Sequence, residues 1–288
     1  MPERTANPNL PFPALTPAQR LHLEVNGYVV LEEFISPEQV ETLRDTTYEL
    51  EAQYRSTGEL PGPDCHLSES RQEVWRVDNL PHLASCYFDY LTDPRIVGMA
   101  EELTGGRVRL EQSDAHIRRP GGERNNDYEF HRGLYGGFSQ TGKGLYHFTF
   151  VKALTNLTDL GPDDGGTSVI AGSHKIWKDV PNADIVAAAM DDPRLIHQIE
   201  APAGSTLVFY ESLMHSPGII HSDRERVLLI GGYTPTMFQA WRGYEPNAAF
   251  VAELSEEHRE LLTGEIKYRW YERTRELGTP AQSLPGQS

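Results

Sequence analysis

Two histidines far apart in the chain, His131 and His215, are of a type that holds a transition metal through imidazole nitrogen. Two such histidines plus a carboxylate two residues after the first would form the facial triad of a non-haem iron centre, with three coordination positions left open. In the segment His131-Arg132-Gly133, however, the carboxylate's place is taken by Gly133, a residue with no side chain. What fills that corner decides which chemistry the centre can do. Taken alone, His131 is also compatible with a hydrogen-bonded core histidine.

The elements that must position these residues are legible around them. The charged, turn-rich stretch Arg118 to Asp127 leads into an extended segment from Tyr128, which would set Glu129, His131 and Gly133 on one face. Downstream, Gly204-Ser205 is a turn before a buried strand, Thr206 to Tyr210, which Glu211 to His215 is expected to continue; Ser216-Pro217-Gly218 then ends it at a cavity mouth. Thr16-Pro17-Ala18-Gln19 and Ser36-Pro37-Glu38-Gln39 each fit a capping box with proline at the first helical position. Those helices should end at Gly27 and near Tyr54, and further helices are expected over Pro94 to Thr104, Asp184 to Met190 and Ser255 to Leu277. Apolar β-branched or aromatic runs predict strands at Val108 to Leu110, Tyr146 to Leu154, Ser168 to Ile170 and Val227 to Tyr233, the last preceded by Arg226. Strands in the middle with helices at the ends predict a mainly β fold with flanking helices, a double-stranded β-helix or jelly roll.

With 288 residues the chain fits one large domain, taken as 15–277 between mobile ends at 1–14 and 278–288. A net charge of −16 argues against nucleic acid polymers and anionic membranes as partners, and against an acidic carrier protein. No apolar span of membrane length and no signal-type start are visible, so a cytoplasmic location is expected. Cys65 and Cys86 are too few for a disulfide framework and lack zinc-type spacing.

Three segments in order resemble the phytanoyl-CoA dioxygenase family of Fe(II)/2-oxoglutarate enzymes. They are Leu15 to Leu43 with Asn26-Gly27-Tyr28-Val29-Val30-Leu31, then Gly161 to Lys175 with Gly165-Gly166-Thr167 and Gly172-Ser173-His174-Lys175, and finally His215-Ser216-Pro217-Gly218 with Ser222 to Arg226. The resemblance covers roughly residues 15 to 240 and implies the jelly-roll fold, Fe(II) held by His131 and His215, and 2-oxoglutarate. Arg226 lies eleven positions after His215, where the family keeps the arginine for the distal carboxylate of 2-oxoglutarate, and a guanidinium can hold a carboxylate bidentately. The plainer reading of Arg226 is a surface arginine beside Asp223 and Glu225, and Arg224 is the poorer candidate for the same role. The resemblance places His174 in a structural turn and His221 in a connecting loop, while His116 and His147 would face the cavity from strands.

Gly133 departs from the family's acid and admits three readings. In the first, chloride binds iron directly beside Gly133, as in the Fe(II)/2-oxoglutarate halogenases whose motif carries Ala or Gly there. One halide for one carboxylate leaves the charge of the metal centre unchanged, and the enzyme would chlorinate an unactivated carbon. In the second, Glu129 supplies the acid from the other side of His131 and the enzyme is a hydroxylase. In the third, the site has decayed and the protein only binds ligands. Retention of both histidines and Arg226 argues against the third, and the charge balance supports the first.

The substrate expected is a free small molecule. Arg118, Arg119 and Arg124, with Arg132 inside the motif, would neutralise an anionic one unless they form only a solvated loop. If that cluster faces the cavity, the chain would be similar to nucleotide halogenases acting on dAMP, with Trp75, Tyr135 and Phe138 available to stack the base. The adjacent Gly136-Gly137 makes a mobile loop plausible there.

Overall fold

The computed structural model describes residues 15–59, 67–70, 74–121, 128–133, 139–142, 145–148, 150–176, 179–238 and 246–265. In chain order the elements are α1 (Pro17–Asn26), β1 (Tyr28–Leu31), α2 (Pro37–Thr57), β2 (Leu67–Ser70), β3 (Val74–Asp78), α3 (Ser85–Leu91), α4 (Pro94–Thr104), β4 (Val108–Arg118), β5 (Ser139–Gly142), β6 (Leu145–Phe148), β7 (Val151–Asn156), β8 (Ser168–Ile170), α5 (Asn182–Asp191), β9 (Ile196–Gln198), β10 (Thr206–Tyr210), β11 (His215–Ser216), β12 (Arg226–Pro235), α6 (Ala248–Ala252) and α7 (Glu256–Thr263). A seven-stranded sheet runs in the order β1-β10-β7-β12-β4-β3-β2, a three-stranded one in the order β11-β8-β9, and β5 pairs with β6. Every pairing is antiparallel.

Period-two alternation gives the large sheet two unlike faces. One face, carrying Trp75, Val77, Leu110, Ala115, Ile117, Val227 and Leu229, packs with helix residues such as Leu23, Leu43, Ile96 and Leu261 into the main core. The other face presents Leu154, Leu207, Phe209 and Leu228, which close against Val169 and Ile199 of the small-sheet side. Two sheets enclosing a second, smaller core form the jelly roll expected from the sequence.

Both expected capping boxes are present: Thr16 and Ser36 accept from the backbone of Gln19 and Gln39, whose side chains accept from the capping residues in return. Two of the sequence motifs meet in space. The peptide nitrogen of Gly172 donates to Asn26 and that of Tyr210 to Gly27. His174 lies so close to Gly27 that a Cβ there would stand 2.4 Å from its Nδ1. Glycine at 27 also permits the left-handed φ of 88° that ends α1.

Several boundaries differ from expectation. Strand β4 continues to Arg118 because its polar residues alternate toward an interior cavity instead of solvent. The segment expected over Tyr146 to Leu154 divides into β6 and β7, which belong to different sheets. Strand β10 stops at Tyr210; a turn at Glu211–Leu213 intervenes, and His215 opens β11 in the small sheet. His131 joins no continuous strand but makes a single antiparallel bridge to His215. The helix expected to Leu277 halts at Gly264, whose φ of 73° terminates α7, and positions 266–277 lie outside the described residues. Helix α3 carries no side-chain cap and was not anticipated. The ends at 1–14 and 278–288, Cys65, Arg124, Tyr135, Phe138 and the Gly136-Gly137 pair also fall outside the described residues, while Cys86 is a half-buried free thiol. Among the described residues no helix is long and apolar enough to cross a membrane.

Candidate metal and co-substrate site

The bridge between His131 and His215 is reciprocal, each peptide nitrogen donating to the other's carbonyl at 2.9 Å. This clamp sets the two imidazoles side by side, with ring centroids 4.4 Å apart. Nδ1 of His131 lies 2.9 Å from the carbonyl of Glu129, and Nδ1 of His215 lies 2.8 Å from that of Leu213. A carbonyl oxygen only accepts, so Nδ1 carries the proton in both rings and each Nε2 keeps its lone pair. That is the tautomer and the outer-shell hydrogen bond a metal-ligating histidine requires. Burial pushes the His215 imidazole down to about 4, which keeps it neutral and available as a ligand. The ring of Phe209 packs at 4.8 Å from that of His215 and shields it.

No third acid completes the cluster: among the described residues, no Asp, Glu, His or Cys groups with these two histidines as a metal site. Glu129 in particular has an exposed side chain, and it contributes its backbone, its carbonyl accepting from His131 Nδ1 and its peptide nitrogen donating to Ser216 Oγ at 2.8 Å. The structure therefore does not bring Glu129 together with the histidine pair as an iron ligand. Gly133 sits two residues beyond His131, as the sequence indicated, and is half-buried. The donor set fits a metal that prefers imidazole and still needs anionic partners. Replacing His215 by Ala should weaken Fe(II) or Co(II) binding by more than about 100-fold, measured by anaerobic titration, because one of the two imidazoles that the clamp presents is lost.

The two histidines line a cavity of about 320 Å³, at the small end of the ~300–1,000 Å³ usual for ligand sites. Arg226 enters it from the start of β12, directly opposite Arg118 in the β4 register. Its guanidinium donates to the carbonyl of Gly165 at 2.8 Å and to Thr167 Oγ1 at 2.9 Å, while Nε is buried without a hydrogen-bond partner. No carboxylate pairs with Arg226 among the described residues, and burial beside Arg118 pushes it down to about 9. A buried cation in this state favours an anionic ligand. Thus the Gly165-Gly166-Thr167 motif acts as the cradle of Arg226. That cradle depends on close backbone packing: a Cβ on Gly218 would stand 1.9 Å from the carbonyl of Gly166. Gly218→Ala should consequently cost about 1–3 kcal/mol in a denaturant melt and weaken 2-oxoglutarate binding along with it.

Other candidates are redistributed. His116 lines the cavity, is held neutral by burial, and stands 3.6 Å from Asp114. Arg118 also faces the cavity and donates to the carbonyl of Gly218 at 3.2 Å. Arg119, by contrast, is turned away and paired with both oxygens of Glu51 at 2.7 Å and with Glu225 at 3.2 Å. Arg132 is spent on Asn182 and the carbonyls of Ile176 and Val180, pinning the motif to the α5 approach. Arg224 pairs with Asp164, and His174 stacks on Tyr210, both structural. Trp75, considered as a base-stacking residue, is fully buried in the main core. Of the described arginines expected to hold an anionic substrate, Arg118 lines the cavity, whereas Arg119 and Arg132 are engaged elsewhere. Sequence reading missed Arg76, Gln112, Asp114, Lys152 and Glu211, which also line it. The signal was available as polar residues at alternate positions from Gln112 to Arg118 and as a lone lysine in an apolar run.

No curated protein matches the chain. Among solved structures, HygX from Streptomyces hygroscopicus with nickel, 2-oxoglutarate and hygromycin B bound is similar at 20% identity and a TM-score of 0.63, covering 79% of this chain and 90% of HygX. AviO1 from Streptomyces viridochromogenes Tue57 is similar at 18% identity and 0.60, covering 75% and 93%. The non-heme alpha ketoglutarate dependent carbocyclase SnoK from nogalamycin biosynthesis is similar at 19% and 0.59, covering 76% and 84%. These likenesses establish the fold. The phytanoyl-CoA dioxygenase family model matches residues 23–228, well over half the chain, along the same span in which the histidine pair and the buried arginine converge. The chain belongs to the phytanoyl-CoA dioxygenase family of Fe/2-oxoglutarate-dependent oxygenases.

Proposed function

We propose that this protein is a halogenase of that family, using Fe(II), 2-oxoglutarate and chloride to chlorinate an unactivated carbon of a free small molecule. The observation that carries the reading is the histidine pair with both Nε2 atoms available and no acid beside it among the described residues. A two-histidine iron site needs an anion where the family has a carboxylate, and Gly133 leaves room for a monovalent ion there. Bound iron, 2-oxoglutarate and dioxygen supply the oxidising power that breaks a carbon–hydrogen bond, and the halide supplies the replacing atom.

The chain's own residues do the placing. His131 and His215 hold the metal from one edge of the cavity; Arg226, steadied by Gly165 and Thr167, receives the distal carboxylate of 2-oxoglutarate. Leu154, Phe209, Leu228 and Ile230 line the space between and keep water from it. A neutral or weakly charged substrate suits the remaining space better than dAMP, since Arg119 is committed elsewhere and Trp75 belongs to the core. HygX and SnoK are named with antibiotics, hygromycin B and nogalamycin, which supports a role in specialised metabolism. Titration of the anaerobic Fe(II)·2-oxoglutarate protein with chloride tests the proposal: a saturable shift of the iron-to-ligand charge-transfer band is expected, and an unchanged spectrum up to high chloride would count against it.

A further inference from the structure

On the side of the cavity away from Arg226 stands a carboxylate that none of the roles above uses. Glu211 directly follows β10 and is only 2% exposed, yet its side chain lines the cavity and its Oε2 has no hydrogen-bond partner. Among the described residues its salt-bridge partner is the Lys152 ammonium, at 3.5 Å, too far for a good hydrogen bond. Lys152 itself donates to Gln112 and lies 4.7 Å from the ring centre of Phe150, so it is held from two other directions. The backbone of Glu211 is fixed as well, its nitrogen donating to the carbonyl of Phe150 at 3.0 Å. A rigid buried carboxylate with an unfilled acceptor oxygen carries a desolvation cost that a donor from a ligand would offset.

Among the described residues Glu211 does not group with His131 and His215 as a metal site. It nevertheless lines the same cavity as His131 and His215, so a group it binds there shares that cavity with the histidine pair. Across the same cavity, Arg76 Nε is also buried without a hydrogen-bond partner, and the rest of that guanidinium is 3.0 Å from Asp114. The walls therefore offer an acceptor on one side and a donor on the other. With 2-oxoglutarate occupying the arginine end, the lining acids Asp78, Glu111, Asp114 and Glu211 outnumber the cations Arg76 and Lys152 at the other, which disfavours an anion there.

We infer that Glu211 is a specificity-determining residue that accepts a hydrogen bond from a hydroxyl or ammonium group of the substrate, which is a hydroxyl-rich molecule, neutral or cationic, such as a sugar or amino sugar. This rests on the assignment of the histidine pair and Arg226 to iron and 2-oxoglutarate, but not on the identity of the atom transferred. Placing a substrate hydroxyl or amine at Glu211 would fix the neighbouring carbon near the metal.

The test uses the anaerobic Fe(II)·2-oxoglutarate protein and three probes on one ring, D-glucosamine, D-glucose and D-glucuronate, with dissociation constants from saturation-transfer NMR titrations. Glucosamine should bind tightest and glucuronate weakest. In Glu211→Gln the preference for glucosamine over glucose should shrink about 10-fold, as expected when one charge-assisted hydrogen bond is lost, with Fe(II) affinity unchanged. Glucuronate binding tightest, no probe binding at all, or an unaltered ranking in the variant would overturn the inference. So would a tenfold loss of iron affinity in the variant, because Glu211 would then be a metal ligand. The outcome separates from the halogenase reading: the expected ranking without chloride uptake refutes only halogenation, and chloride uptake without the ranking refutes only this role of Glu211.

Discussion

Gly133→Asp should abolish chloride binding at the iron while leaving the metal in place. An aspartate two residues after His131 would restore the acid of the facial triad and fill the corner assigned to the halide. The newly fixed negative charge would also oppose an anion beside it, a like-charge contact costing several kcal/mol, so chloride affinity should fall by more than about 100-fold. Spectroscopic titration gives the chloride affinity, and mass spectrometry of products shows whether the chlorine isotope pattern disappears. Retained chlorination would mean that the halide enters elsewhere. Fe(II) affinity should hold or rise, because a third protein ligand has been added.

The second large effect is at Arg226, where ligand binding and apo-protein stability should respond differently. In the apo-protein this guanidinium is buried beside Arg118 and faces no carboxylate among the described residues, so keeping it charged is costly. Arg226→Gln removes that cost, which offsets the hydrogen bonds to Gly165 and Thr167 that the shorter side chain gives up. The apo-protein's Tm should therefore not fall. The affinity for 2-oxoglutarate should fall on the order of 100-fold or more, since truncating one partner of a buried charge pair costs about 2–5 kcal/mol. Wild-type protein at 100 times its Kd for 2-oxoglutarate should gain about 2.7 kcal/mol of apparent stability, and the variant almost none at the same concentration. A variant still stabilised by 2-oxoglutarate to the wild-type extent would place the co-substrate's distal carboxylate elsewhere, with Arg118 the next candidate.

How far the site could be read from sequence depended on whether its geometry was local. The capping boxes at Thr16 and Ser36 are complete within four residues, and both helices begin there. His215 and Arg226 flank one loop, and their spacing carried them to the same cavity. His131 lines the same cavity, although the expected strand is a single bridge whose partner is His215 itself, a contact 84 positions away that no local pattern encodes. Strand β4 was underestimated because polar residues in a strand usually signal solvent, whereas Gln112, Asp114, His116 and Arg118 face an interior cavity. Arg118 and Arg119 part for a related reason. Adjacent strand positions point to opposite sides, so Arg118 turns into the cavity while Arg119 turns out to Glu51 on α2. Glu211 was passed over as part of a continuing strand; the turn that follows β10 is what leaves its side chain in the cavity.

The most direct measurement is an anaerobic crystal structure with Fe(II), 2-oxoglutarate and bromide, using the anomalous signal of bromine to locate the halide. A bromine peak in the iron's coordination shell beside Gly133, with His131 and His215 as the only protein ligands, is the expected result. An oxygen of Glu129, Glu211 or any other acid bound at that corner would contradict it, and the protein would then be an oxygenase that inserts hydroxyl.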